Sequence, residues 1–349
     1  LADRRATPEL VGQRVAAAIP TPRPAARRLP PAALLLVGAV ALLVLAGRRL
    51  GYGLAEYAQL LVDGLATGSV YALVALGFVV VYRVSGVINF AQGAFVMLGP
   101  MLCISLLGPL PDTAAGLLLA ALVATAACAA SGALLHRLAL HPLRDAAPLA
   151  RIIVTVGAYV SIQGIALKVW GPRPYVLPAF TTLSMADRLV DVGGVVVQAQ
   201  SLWVWGTALV TFAALGAFFE GTVAGKAMRA CAVNRTAARL VGIQVDRMGT
   251  LAFALAATLG AVGGIVLAPS TRPTFDMGLE LGLKGFVASI AGGLVSFPGA
   301  VAGGIALGVL ESLWAGVVLA GFKDLFAFAM LVILLLTFPR SRAASEESA

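Results

Sequence analysis

The sequence predicts an all-α, polytopic transmembrane helical bundle of about 8–10 membrane segments, and three observations carry that prediction. Hydrophobic residues fill 60% and charged residues 12% of 349 positions, more apolar surface than a soluble domain can bury, so the solvent must be lipid. The apolar residues fall into about ten runs bounded by glycine, proline or charge, each of spanning length or slightly below it. The basic residues gather at alternate run ends, as the positive-inside bias requires.

In chain order, residues 1–31 read as a disordered, basic, Pro-rich cytoplasmic tail. Six arginines and the prolines Pro8, Pro20, Pro22, Pro24 and Pro30 leave too few large apolar side chains for a core. Residues 32–56 read as an additional N-terminal transmembrane segment and linker. The apolar part, 32–47, is short, so a cleaved export signal is the alternative; the long basic lead and the Arg48-Arg49 pair oppose it.

Residues 57–340 form the main transmembrane domain. Its runs lie near 57–82, 88–108, 114–136, 151–170, 202–220, 249–269, 281–296, 299–319 and 323–338, and 341–349 is a polar C-terminal tail. Alternate threading from a cytoplasmic tail puts Arg83, Arg137, Arg144, Arg151, Lys226, Arg229, Arg235, Arg239, Arg247, Arg340 and Arg342 inside, and Trp170 and Trp203 at the outer interface. The 57–82 run is long and carries Gly64, Gly68 and Gly77, so a tilt or a break is expected there. The 281–296 run is short and begins beside Lys284, which leaves crossing and re-entry both open.

Small-xxx-small pairs at Gly64/Gly68, Gly260/Gly264, Gly299/Gly303 and Gly304/Gly308 predict close helix contacts. Glu311 falls mid-run, where a charge costs on the order of 3 kcal/mol, so it should face the bundle interior or water. Asp63 and Lys168 lie nearer run ends and can reach the interface.

The loop 221–248, GTVAGKAMRACAVNRTAARLVGIQVDRM, is basic and of helical size. Read as one helix over 229–241, it puts Ala230, Val233, Ala237, Leu240 and Val241 on one arc and Arg235 and Arg239 on the other, with Gly242 ending it. So short a helix needs a surface to pack on, either the lipid headgroups or a groove in another subunit.

Reactive constellations are missing from the sequence. GTVAGK at 221–226 is one residue short of a phosphate loop and has Ala227 where Ser or Thr should stand. Cys103, Cys128 and Cys231 are scattered, and His136 and His141 lack a glutamate at metalloprotease spacing. The excess of basic over acidic residues sits at span ends and does not form a nucleic-acid surface. No catalytic residue, metal or cofactor is expected.

Residues Ser69–Gly93, SVYALVALGFVVVYRVSGVINFAQG, then GKAMRACAVNRTAARLVGIQVDRM, LKGFVASIAGGLVSFPGAVAGGIALGVLESL and KDLFAFAMLVILLL resemble, in order and spacing, the permease subunits of branched-chain amino acid ABC importers of the LivH-like type, over roughly 57–340. The resemblance implies an ABC importer permease fold in the bacterial inner membrane. It places the Ile88–Gly93 block beside the translocation core, so Asn89 and Gln92 join Glu311, singled out by its charge in mid-run, as the candidate path or gate residues. Most family members carry histidine where this chain has Gln92; glutamine keeps hydrogen-bonding capacity but does not titrate near neutral pH.

The basic loop corresponds to the segment that docks on the ATPase, carried over onto Arg229, Ala230, Asn234, Ala237, Leu240 and Gly242, with Val233 on the same apolar arc. Implied partners are a second permease subunit, cytoplasmic ATP-binding subunits, a periplasmic substrate-binding protein and the lipid bilayer. The implied substrate is leucine, isoleucine, valine or another hydrophobic amino acid, with amides and urea as alternatives. An ion-coupled secondary transporter is the rival from another class; it would not need a docking loop.

Overall fold

The computed structural model of the chain describes residues 43–337 and Gly38, apart from Asp112, Asp145, 182–189, Gly193 and Leu319. The predicted tails at 1–31 and 341–349, with Arg340 and Arg342, lie outside the described residues, as does most of the run 32–47. The compact unit beginning at Val40 is the one considered below.

Its helices are α1 (Leu54–Ser85), α2 (Gln92–Leu107), α3 (Ala114–Leu135), α4 (Pro148–Trp170), α5 (Ala199–Gly221), α6 (Val223–Val233), α7 (Arg235–Leu240), α8 (Val245–Leu267), α9 (Met277–Ala291), α10 (Phe297–Val317) and α11 (Lys323–Thr337). A π-helical turn, His136–Leu140, prolongs α3, and a tight turn, Ala268–Ser270, prolongs α8. Among the described residues, six helices are long and apolar enough to cross a membrane: α1, α3 and α8 with their extensions, α4, α5 and α10. The protein is therefore a multi-pass, all-α membrane bundle. The apolar helices α2, α9 and α11 have 16, 15 and 15 residues; at about 1.5 Å per residue each falls short of a hydrocarbon layer of about 30 Å. Strand structure among the described residues is confined to one antiparallel ribbon, Val190–Val192 with Val195–Val197, which the sequence reading missed. Both amide groups of the Gln59 side chain engage the backbone of Val196 and fasten this ribbon to α1.

Helix α1 is the axis of the bundle because it is apolar on all sides. Every residue from Gly68 to Val81 is buried, the pattern of a helix surrounded by protein. The expected break at its glycines is absent: α1 runs unbroken for 32 residues. Gly64 and Gly68 instead admit the antiparallel α10, whose Gly308 is so close that an added Cβ would lie 2.3 Å from the Gly68 Cα. Burial gives no net drive between helices in lipid, so such backbone contacts supply the attraction through dispersion. Gly308→Ala should therefore lower the melting temperature of the purified protein, since overpacking of this kind costs about 1–3 kcal/mol. Gly216→Ala on α5, where a Cβ meets nothing within 4 Å, should leave it unchanged. Equal melting of the two variants would contradict the contact.

The helix ends sort into two sets. At one end Arg83, Arg144, Arg151, Arg229, Arg235 and Arg239 line neighbouring recesses; this is the arginine end. At the other, the Trp170 indole donates to Ser105 Oγ at 2.7 Å, and Trp203 donates to Thr181 Oγ1 at 2.7 Å; this is the tryptophan end. The short helix α9 starts after Pro273, which pairs with Tyr175 near Trp170. The chain then reaches the arginine end at Phe297, which stacks on Phe219 beneath Arg83. The run left open between crossing and re-entry thus connects the tryptophan end to the arginine end through a 15-residue helix and a non-helical turn.

Candidate functional site

The chain turns back into the bundle after α1. Gly86 closes that helix in the left-handed conformation at φ 63, where a Cβ would be strained, and its N–H returns to the Tyr82 carbonyl. Residues 86–91 are non-helical, and α2 starts beside Gly77, about two turns before the end of α1, with Gln92 so near that any Cβ on Gly77 would collide with its amide. Irregular backbone at this depth must find its hydrogen bonds in protein. Asn89 Oδ1 accepts from Ala91 N at 3.1 Å, Thr155 Oγ1 accepts from Phe90 N at 3.1 Å, and the Gln92 amide donates to the Ala256 carbonyl at 2.9 Å.

Asn89 and Gln92 thus hold a helix break together, both fully buried. Asn89 Nδ2 and Gln92 Oε1 have no partner among the described residues. The structure does not bring this pair together with Glu311, and neither lines the large cleft described next.

Glu311 does face the interior. On α10, its two carboxylate oxygens accept from the Tyr71 hydroxyl on α1 and from Lys284 Nζ on α9, each at 2.8 Å. Lys284 is completely buried and has two further carboxylate partners, Glu280 at 2.6 Å and Asp324 at 2.7 Å. Three helices therefore meet on a single ammonium, whose three donors are all matched, and α1 joins them through the Tyr71 hydroxyl on Glu311. Burial of one cation against three carboxylates leaves an acidic excess, but Glu280 and Asp324 are each almost half exposed and meet solvent in a cleft.

That cleft has a volume of about 830 Å³ and is framed by Thr67 and Tyr71, the connection from Thr271 to Asp276, the outward face of α9, and Lys323, Asp324 and Phe328 of α11. It is on the tryptophan side of the bundle. Charges of both signs ring it: Arg272 and Lys323 against Asp276, Glu280 and Asp324. Arg272 has φ 33, an unusual backbone state for a residue with a Cβ.

The expected coupling segment at the arginine end differs from the sequence expectation in two respects. The predicted single helix over 229–241 is two, α6 and α7, broken at Asn234, which has extended backbone and caps α7 by accepting from Ala237 N at 3.0 Å. Asparagine is among the strongest N-cap residues, and here it outweighs the continuous apolar arc. Gly242, at φ 85, ends the motif as predicted. Val233, Leu240 and Val241 are 86%, 84% and 76% exposed, and Ala237 is exposed beside them, whereas Ala230 is only half-buried on α6. Arg229 and Arg239 are exposed. Arg235 departs from the expected solvent arc: its guanidinium turns inward and donates to the Val84 carbonyl at the end of α1.

Sequence reasoning missed Lys284, Tyr71, Glu280 and Asp324 as site residues. A signal was present, since Glu280 and Lys284 stand four apart on a helix, the spacing of an ion pair.

The model for the family described as branched-chain amino acid transport system, permease component, matches residues 60–335. The chain is similar to the high-affinity branched-chain amino acid transport system permease protein LivH of Salmonella typhimurium, 31% identical over 294 residues that cover 81% of this chain and 94% of the relative. It is 31% identical over 290 residues to the LivH protein of Escherichia coli, with the same coverage. To the permease protein BraD of Pseudomonas aeruginosa it is 32% identical over 292 residues, again 81% and 94% of the two chains. No solved structure matches. With the family model spanning 60–335 and relatives of this identity covered almost end to end, the chain belongs to the family of branched-chain amino acid transport permeases.

Proposed function

We propose that the protein is a permease subunit of an ATP-driven importer for branched-chain or other hydrophobic amino acids, resident in the bacterial inner membrane with its arginine end in the cytoplasm. It pairs with a second permease subunit, takes substrate from a periplasmic binding protein at the tryptophan end, and docks cytoplasmic ATP-binding subunits on α7. It does no chemistry on its substrate.

The observation that carries the reading is the exposed apolar strip formed by Val233 at the end of α6 and by Ala237, Leu240 and Val241 of the short, capped α7 and its end. An apolar strip of this kind is unsatisfied in water and fits a hydrophobic groove. Hooked to α1 through Arg235, α7 can pass a movement of the ATPase to the bundle. In the outer cleft, the mixed charges suit a zwitterion, and Glu311 with Lys284 closes the cleft floor as a gate. Asn89 and Gln92 support the path by fixing the start of α2.

Vesicles holding the assembled complex test this. Leucine uptake should require ATP inside and binding protein outside, and should persist when the proton and sodium gradients are collapsed. Uptake that follows an ion gradient without ATP would establish the secondary-transporter alternative; uptake of amides or urea but not leucine would reassign the substrate.

A further inference from the structure

A second cavity, of about 70 Å³, lies at the arginine end behind α7 and shares no lining residue with the large cleft. It offers room for about five waters, or one tetrahedral oxyanion. Its polar lining comes from four pieces of chain: Ser85 of α1, then His136, His141 and Arg144 between α3 and α4 with Arg151 of α4, Arg235 and Arg239 of α7, and Asp246 at the start of α8. Asp246 is the one carboxylate in that lining, and it lies 3.8 Å from both His141 and Arg144. Asp145, in the same connection, lies outside the described residues.

Arg144 is engaged by its own partners; the guanidinium groups of Arg151, Arg235 and Arg239 face the same small cavity and repel one another, and Asp246, already shared by His141 and Arg144, offsets only part of that. The Val84 carbonyl bound by Arg235 carries no charge. Arg151 has its Nε buried without a hydrogen-bond partner. Burial, followed by the nearby charges of Arg151 and Arg239, holds the Arg235 guanidinium below its ordinary value despite the opposing effect of Cys231. Such a cavity is short of negative charge.

We infer that it binds a phosphate-type oxyanion, supplied by the headgroup of an anionic phospholipid or by free phosphate. Guanidinium groups match phosphate oxygens in pairs, a geometry that lysine does not reproduce. The cavity sits where α1, α4 and α8 reach their arginine ends, the depth at which headgroup phosphates lie. A bound anion would join α7 to the α3–α4 connection and stiffen the mounting of the coupling face.

The test uses the purified full-length permease and reads binding, so it does not depend on transport. Phosphatidylglycerol and phosphatidylcholine are offered in neutral detergent and retention is followed by native mass spectrometry. Melting is compared in sodium phosphate and sodium chloride at matched ionic strength. Native protein should retain phosphatidylglycerol preferentially, or be stabilised by phosphate. Arg151→Gln should weaken either effect roughly tenfold, as expected for losing one charge-assisted contact, and Arg239→Gln, at an exposed position, should weaken it similarly without any risk to the buried packing. Arg247→Gln, an exposed arginine outside the cavity, should change nothing. Retention of phosphatidylglycerol that phosphate displaces identifies a headgroup site, and phosphate stabilisation without lipid retention identifies free phosphate. Equal retention of the two lipids with no phosphate effect, or equal losses for Arg247→Gln and the cavity variants, overturns the inference.

Discussion

Lys284→Met is expected to remove most of the folded permease from the membrane. Lys284 is fully buried among three carboxylates, and Glu311 is only 6% exposed. Taking the ammonium away strands the Glu311 charge in the bundle, and breaking a buried pair from one side costs about 3–5 kcal/mol. Domains are stable by only about 5–15 kcal/mol in total. Glu280 and Asp324 escape this penalty because both reach the cleft.

The double variant Lys284→Met with Glu311→Gln separates folding from gating. Neutral glutamine can still accept the Tyr71 hydroxyl, so the amount of monodisperse protein on size exclusion should recover. Leucine uptake should stay low, because the charge pair across α9 and α10 is then absent. Recovery of uptake together with folding would mean that the pair is structural and does not gate. A wild-type yield of the single variant would contradict the stranded-charge argument itself.

Ala237→Asp should leave the permease folded and strip it of its ATPase, abolishing uptake. Ala237 is exposed in the first turn of α7, where an aspartate is favoured by the helix dipole, so the loop keeps its shape. In a complex, however, the carboxylate would enter an apolar groove unpaired, at roughly 2–7 kcal/mol or more, which is enough to prevent docking. Arg239→Ala removes an exposed charge next to that face and should cost about 1 kcal/mol or less in docking. Co-purification of the ATP-binding subunits distinguishes the two. If Arg239→Ala loses the complex while Ala237→Asp keeps it, the docking face is misassigned; if both variants keep it, α7 rests on headgroups instead.

The features that the sequence conveyed well are those set by the solvent. Lipid dictates run length and the placement of arginine and tryptophan, and all four small-residue pairs fall at close contacts between helices or turns. Glu311 could be turned inward from its position in a run alone. Its partner could not be named, because Lys284 stood at the edge of a hydropathy run and reaches across 27 residues of sequence. Local competition hid the rest. Asn234 interrupts an apolar arc that periodicity alone would continue, and the inward turn of Arg235 depends on a carbonyl 151 residues away. Asn89 and Gln92 were singled out by resemblance, yet their surroundings show a hydrogen-bonding task at a break, which no period in the sequence describes.

The half-length α2 also bears on how the protein is made. The Gln92 amide at its start donates to the Ala256 carbonyl, 164 residues downstream, and its Gly93 and Gly99 close against Gly278 and Ala261. At a synthesis rate of about 5–20 residues per second, these partners follow α2 out of the ribosome by roughly 10–30 s. During that interval a short helix with an exposed asparagine and glutamine has to be held at the insertion machinery or lie at the interface. Final burial of α2 is thus a late event in biogenesis. Pulse-labelled chains truncated before Val245 should remain accessible at 86–92, and chains extended past Ala291 should become protected.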